Sequence, residues 1–121
     1  MPSNKLGLSP YLVNALKELK HNKPTPIQAA AIPAILKGQD ILGIAPTGSG
    51  KTASFVLPTL TKLENDKTIL RNRRVKVLVL VPTRELAMQV HQVFQDFGKA
   101  IPKRIKTMAV FGGVSINPQM M

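Results

Sequence analysis

The sequence predicts an α/β fold, a parallel sheet flanked by helices. Helical and strand patterns alternate along the chain. Residues 75–81, reading VKVLVLV, are apolar nearly throughout, as a strand covered on both faces should be. A glycine-rich turn at residues 45–52 joins a short apolar run to a helix start. With 121 residues the chain allows one domain, 1–121. No internal repeat interrupts it.

Ser9-Pro10 opens a first helix, with an N-cap residue before proline at the first helical position. Leu12, Val13, Leu16 and Leu19 then recur at helical spacing through Lys20. Thr25-Pro26 repeats the start signal for a second helix. Ile27, Ala30, Ala31, Ile35 and Leu36 are its apolar positions, and Lys37-Gly38 ends it. Residues 40–45 read as a short buried strand, 51–63 as a helix and 64–74 as a polar loop. The strand at 75–81 is broken by Pro82-Thr83, which opens a helix through Gly98. Residues 105–111 read as a third strand, stopped by Gly112-Gly113, and Asn117-Pro118 begins another helix.

Composition narrows the function classes. Hydrophobic residues make up 44% of the chain, enough for a core. The absence of cysteine excludes disulfides and cysteine-ligated metals. No apolar run approaches the ~18 residues of a membrane helix, and the first residues lack a signal peptide's apolar region. The expected location is the cytoplasm, with no membrane partner. Lys and Arg number 17 against 6 acids, a net charge of +11. That excess favours a polyanion such as nucleic acid; the plainer reading is a solvated basic surface.

Four constellations carry chemistry. The sharpest is Ala45-Pro46-Thr47-Gly48-Ser49-Gly50-Lys51-Thr52, after a strand and opening a helix. Glycines let backbone N–H groups turn towards phosphate oxygens, and the helix N-terminus adds the positive end of its dipole. Lys51 can reach β- and γ-phosphates, and the Thr52 hydroxyl can ligate Mg²⁺, so these two are the candidate catalytic residues. Ala45 stands where the general pattern has glycine. Upstream, Lys23-Pro24-Thr25-Pro26-Ile27-Gln28 offers a glutamine amide, which can pair bidentately with adenine. Taken alone, Gln28 is an ordinary polar helix residue. Pro82-Thr83-Arg84-Glu85-Leu86-Ala87 lies at the carboxyl end of the strongest strand, where open α/β sheets bind ligands. Thr83, the first amides of the helix and Arg84 can hold a phosphate; without context the segment is a helix cap with a solvated Arg–Glu pair. Gly112-Gly113 permits close approach of a nucleic-acid backbone, or simply makes a turn.

Taken together, these segments resemble the Q motif (about residues 20–28), motif I, motif Ia and the GG motif of the DEAD-box ATP-dependent RNA helicases, in order and approximate spacing. The resemblance covers essentially the whole chain, and residues 110–119 look most like the bacterial RhlE-like subgroup. It implies the N-terminal part of a RecA-like P-loop NTPase domain, the first of two. Lys23, Thr25 and Gln28 would meet the adenine end of ATP, with Gln28 reading the base. Residues 45–52 would hold triphosphate and Mg²⁺. Pro82, Thr83, Arg84, Gly112 and Gly113 would lie along the backbone of single-stranded RNA, with little regard for sequence. The parent would unwind short RNA duplexes as a monomer. Where the family favours aromatic residues, upstream of the Q motif and near its start, this chain has Ser3 and His21.

The Walker B carboxylates are absent from these residues. The six acids are Glu18, Asp40, Glu64, Asp66, Glu85 and Asp96, and no Asp-Glu-Ala-Asp occurs. Metal-assisted hydrolysis needs such groups as a second metal-binding carboxylate and as the base that orients water. The alternatives are therefore the ATP-binding part of a helicase, or a nucleotide- and RNA-binding fragment without turnover; an unrelated P-loop kinase or GTPase is the third. The resemblance also implies that the sheet neighbours of the strand before the loop come from sequence beyond residue 121. Unpaired strand groups are costly. The 121-residue chain by itself is expected to unfold broadly on heating, and a sharp cooperative transition in water would contradict this.

Overall fold

The computed structural model describes residues 6–20, 23–46, 48, 50–66 and 76–110. Four helices stand in the order α1 (Pro10–Glu18), α2 (Pro26–Leu36), α3 (Lys51–Asn65) and α4 (Arg84–Gly98). Their positions follow the start and stop signals of the sequence. Pro10 and Pro26 open α1 and α2, and Gly38 ends α2 with φ +79°. Lys20 ends α1 in the same left-handed way, at φ +62°. Leu19, expected on the apolar stripe, instead falls just past the helix end and is 57% exposed.

α3 is the central element, packing against both α2 and α4. Val56, Leu57 and Leu60 of α3 are almost fully buried with Leu12 and Leu16 of α1, Ile32 of α2, and Val90 and Phe94 of α4. Phe55 and Phe94 pack at a tilt, ring centroids 6.4 Å apart. α3 carries Pro58 within this core. Its missing N–H costs one helical hydrogen bond, at a position where the ring is fully packed.

Polar ties fix α1 and the inter-helix segments to the same helix. Ser9 is the N-cap residue of α1, yet its hydroxyl does not cap; it donates to Glu64 Oε1 at 2.8 Å. The Ser9 N–H donates to Thr61 Oγ1 at 3.2 Å, and the Thr61 hydroxyl donates to the Leu57 carbonyl at 3.0 Å. Thr61 thus spends its donor and an acceptor inside the core, as a buried hydroxyl must. Asp66, the C-cap of α3, lies 3.9 Å from Lys76 Nζ, and its carbonyl accepts from Lys103 Nζ. Glu64 and Asn65, expected in a loop, extend α3 by about half a turn.

The expected parallel sheet is not formed among the described residues. Residues 40–46, 76–81 and 104–110 occupy the predicted strand positions without strand pairing. Their side chains still divide between two faces. Val79, Val81 and Ile105 pack on the helical core. Leu42, Ile44, Leu78 and Leu80 are 75–89% exposed. Residues 104–110 alternate strictly between exposed and half-buried, the period-two signature of a strand. The expectation that residues 40–45 are buried is therefore corrected: residues 40–44 are exposed and Ala45 is half-buried. A strand is defined by hydrogen bonds to a neighbour, and apolar patterning alone does not supply one. The predicted helix start at Asn117-Pro118 lies outside the described residues.

Leu60→Ala in a full-length protein carrying this chain should cost ~2–5 kcal/mol, the usual loss for a truncated core leucine. Leu19→Ala should change stability by less than ~0.5 kcal/mol. Urea midpoints of the two variants measure the contrast.

Candidate nucleotide-binding site

The glycine-rich turn ends at Gly50, the N-cap residue of α3, held at φ +83° and ψ 25°. Gly48 has the same φ. This is the left-handed region that side chains disfavour. Gly50 has no side chain with which to cap α3. Its counterparts in α2 and α4, Thr25 and Thr83, each accept a hydrogen bond from the third residue of the helix, Gln28 N at 3.4 Å and Leu86 N at 3.1 Å. α3 therefore begins with amides that no N-cap hydroxyl occupies, where the helix dipole favours an anion. Lys51 is exposed and Thr52 half-buried at its first two positions. Ala45 is half-buried, and Pro46 and Gly48 are exposed. Thr47 and Ser49 lie outside the described residues.

α2 delivers Gln28 to this turn. Thr25 and Gln28 form a reciprocal capping box, the Thr25 N–H donating to Gln28 Oε1 at 3.1 Å. Gln28 Nε2 then donates to the Gly50 carbonyl at 3.3 Å. The same carbonyl accepts the first helical bond of α3, from Ser54 N at 3.1 Å. A carbonyl has two lone pairs, and both are used. A primary amide has two N–H donors and two oxygen lone pairs. Gln28 spends one of each on protein, leaving one donor and one acceptor. Adenine presents the complementary set at N7 and N6.

The capping box was legible at the spacing Thr25-x-x-Gln28, but Gln28 was expected either as a base reader or as an ordinary polar helix residue, not as part of a cap. The Gly50 carbonyl had no signal, because nothing in a glycine-rich turn says which carbonyl a distant helix will find. Lys23 is exposed, just before the capping box.

The second cluster stands apart in sequence, at the start of α4. Pro82, Thr83 and Arg84 are exposed. Thr83 is a true cap, as the plainer reading had it, and its hydroxyl keeps a proton to donate. Glu85 occupies the first turn. Gly112 and Gly113 lie outside the described residues. No group of three or more His, Cys, Asp or Glu able to hold a metal occurs among the described residues. A groove of about 640 Å³ lies at the other end of α3, lined by Leu36, Lys37, Thr61 and Lys62 among others. It has neither a glycine-rich turn nor a helix N-terminus.

A glycine turn with left-handed backbone, an uncapped helix behind it and an amide from a neighbouring helix define the class, a P-loop domain. A family model described as DEAD/DEAH box helicase matches residues 25–121. The chain belongs to that family. It is 45% identical over 115 residues to the ATP-dependent RNA helicase DeaD of Buchnera aphidicola subsp. Schizaphis graminum, covering 95% of this chain and 18% of that protein. It is 44% identical over 115 residues to the ATP-dependent RNA helicase DeaD of Escherichia coli, covering 95% and 17%. Among solved structures it resembles the RNA helicase Prp28 from Chaetomium thermophilum bound to ADP, with a TM-score of 0.83 and 34% identity over 98% of this chain and 28% of that one. It also resembles a DEAD box protein from Methanococcus jannaschii, with a TM-score of 0.82 and 37% identity over 99% and 31%. The chain thus spans about a fifth of the curated relatives it matches. Its structural neighbours are RecA-like helicase domains.

Thr25→Ala removes the α2 cap and should cost ~1 kcal/mol. The bond that holds the Gln28 amide is donated by the Thr25 backbone N–H, which alanine keeps, so the Gln28 side-chain amide resonances should stay close to their wild-type positions. Large shifts of those resonances in the variant would show that the Thr25 hydroxyl is needed to position the amide.

Proposed function

We propose that this chain is the ATP-binding portion of an ATP-dependent RNA helicase, in which residues 45–52 hold the triphosphate, Gln28 reads adenine, and the start of α4 contacts RNA backbone. The observation that carries the reading is the Gln28–Gly50 hydrogen bond. It brings the Gln28 amide against the glycine-rich turn, which supports reading the two as one nucleotide site. Family membership and the ADP-bound relative support nucleotide as the ligand.

The residues divide the work by chemistry. The first amides of α3 and the Lys51 ammonium oppose phosphate charge without reorganising. The Thr52 hydroxyl oxygen would help hold Mg²⁺, which would supply neutralisation of phosphate charge. Lys23 and Thr25 flank the base end. At α4, the Thr83 hydroxyl proton, the helix N-terminus and Arg84 suit a phosphodiester. Gly112 and Gly113 complete the RNA track in this proposal. Such contacts position a strand and carry little sequence information. Binding two ligands on one domain lets a second domain close over both, a population shift that turns nucleotide affinity into bending of RNA.

The Walker B acids needed for turnover are not among these 121 residues. Hydrolysis is therefore assigned to the full-length protein, and these residues alone bind without turning over. The second reading, a binding fragment, rests on the same observation and differs only in what accompanies the chain. We place the protein in the cytoplasm, acting as a monomer; no described helix is long and apolar enough to cross a membrane.

In the full-length protein, Lys51→Ala should abolish RNA-stimulated ATP hydrolysis; unchanged turnover would remove the glycine-rich turn from the chemistry. Arg84→Ala should weaken RNA binding about equally across sequences and reduce the salt slope by about one. A sequence-dependent loss would instead assign Arg84 to base reading.

A further inference from the structure

Gly48 and Gly50 share the same left-handed φ of +83° but have different surroundings. A Cβ on Gly48 would meet nothing within 4 Å. A Cβ on Gly50 would lie 2.4 Å from Gln28 Nε2, 3.3 Å from Gln28 Cδ and 3.3 Å from Thr25 Oγ1. An unrestrained glutamine would swing away from such a contact. Gln28 is restrained at both ends of its amide, by the Thr25 N–H on Oε1 and the Gly50 carbonyl on Nε2. Making room for a methyl group therefore means breaking those bonds and turning the amide.

We propose that Gly50 is a positioning residue for base selectivity: its missing side chain is what allows α2 to seat the Gln28 amide with one donor and one acceptor aimed at the base. The inference rests on the adenine-reading role of Gln28 proposed above and adds a determinant at the phosphate end of the nucleotide. A glycine needed only for its backbone angle, or only for approach to phosphate, would affect every nucleoside triphosphate alike. A glycine that seats Gln28 affects the choice between them.

The test is the affinity of the full-length protein for Mg-ATP and Mg-GTP, in the wild type and in Gly48→Ala, Gly50→Ala, Gln28→Ala and the Gln28→Ala/Gly50→Ala double variant. Gly48→Ala should weaken both nucleotides and leave their ratio unchanged. Gly50→Ala should lower the ATP-over-GTP preference by about tenfold, the scale of one lost base-edge pairing. In the Gln28→Ala background, adding Gly50→Ala should leave the preference where Gln28→Ala put it. A Gly50→Ala protein with wild-type preference would overturn the inference while leaving Gln28 as the base reader. So would two variants that lower the preference independently. A wild type with no preference for ATP would overturn the adenine-reading role itself, and the inference with it.

Discussion

The carbonyl of Gly50 accepts two hydrogen bonds, one from the backbone of α3 and one from the side chain of Gln28. The first starts the helix whose N-terminus faces the candidate phosphate site. The second joins that start to α2. Remove the pair, and the glycine turn and Gln28 become two unrelated surface features. The arrangement holds only because α3 is itself held: Val56, Leu57 and Leu60 are buried between the other three helices, and Ser9, Thr61 and Glu64 lock α1 onto its far end. A site built on a packed helix is better defined than one on a loop alone.

Capping differs among the helices in a way that matches their proposed work. α2 is closed by a reciprocal box, which orients Gln28. α4 is closed by the Thr83 hydroxyl, which keeps a proton for an acceptor. α3 has glycine at its cap, so no N-cap side chain occupies its opening amides. α1 also begins without a side-chain cap, its Ser9 hydroxyl going to Glu64, so the unmet amides of a helix start are handled differently in each of the four described helices.

Much of this was legible in the sequence because the signals are local. Proline at the first position of α1 and α2, threonine before α2 and α4, and glycine after α2 fixed helix ends to within a few residues. The glycine turn was legible for the same reason. The expected sheet does not show among the described residues; strand pairing depends on partners distant in sequence, and the apolar run at 76–81 names none. Leu42 and Leu80 have the composition of buried residues and lie exposed, while Val79 and Ile105 find the core. Within the site, Thr25-x-x-Gln28 carried a cap signal beside its functional one, and both describe the same amide. Ser9 shows the reverse: its position marks a helix start, yet its hydroxyl serves a long-range tie to Glu64 that spacing does not encode.

The central claim is that the turn before α3 and the Gln28 amide together take a nucleotide. Its most direct test is a titration of the full-length protein, with glycine, lysine and glutamine nitrogens isotopically labelled, against Mg-ATP followed by magnetic resonance. The account predicts saturable shifts of the Gly48, Gly50 and Lys51 amides and of the Gln28 side-chain amide, with one common affinity. Shifts confined to the far end of α3, around Lys37 and Lys62, with those four groups unmoved, would contradict it.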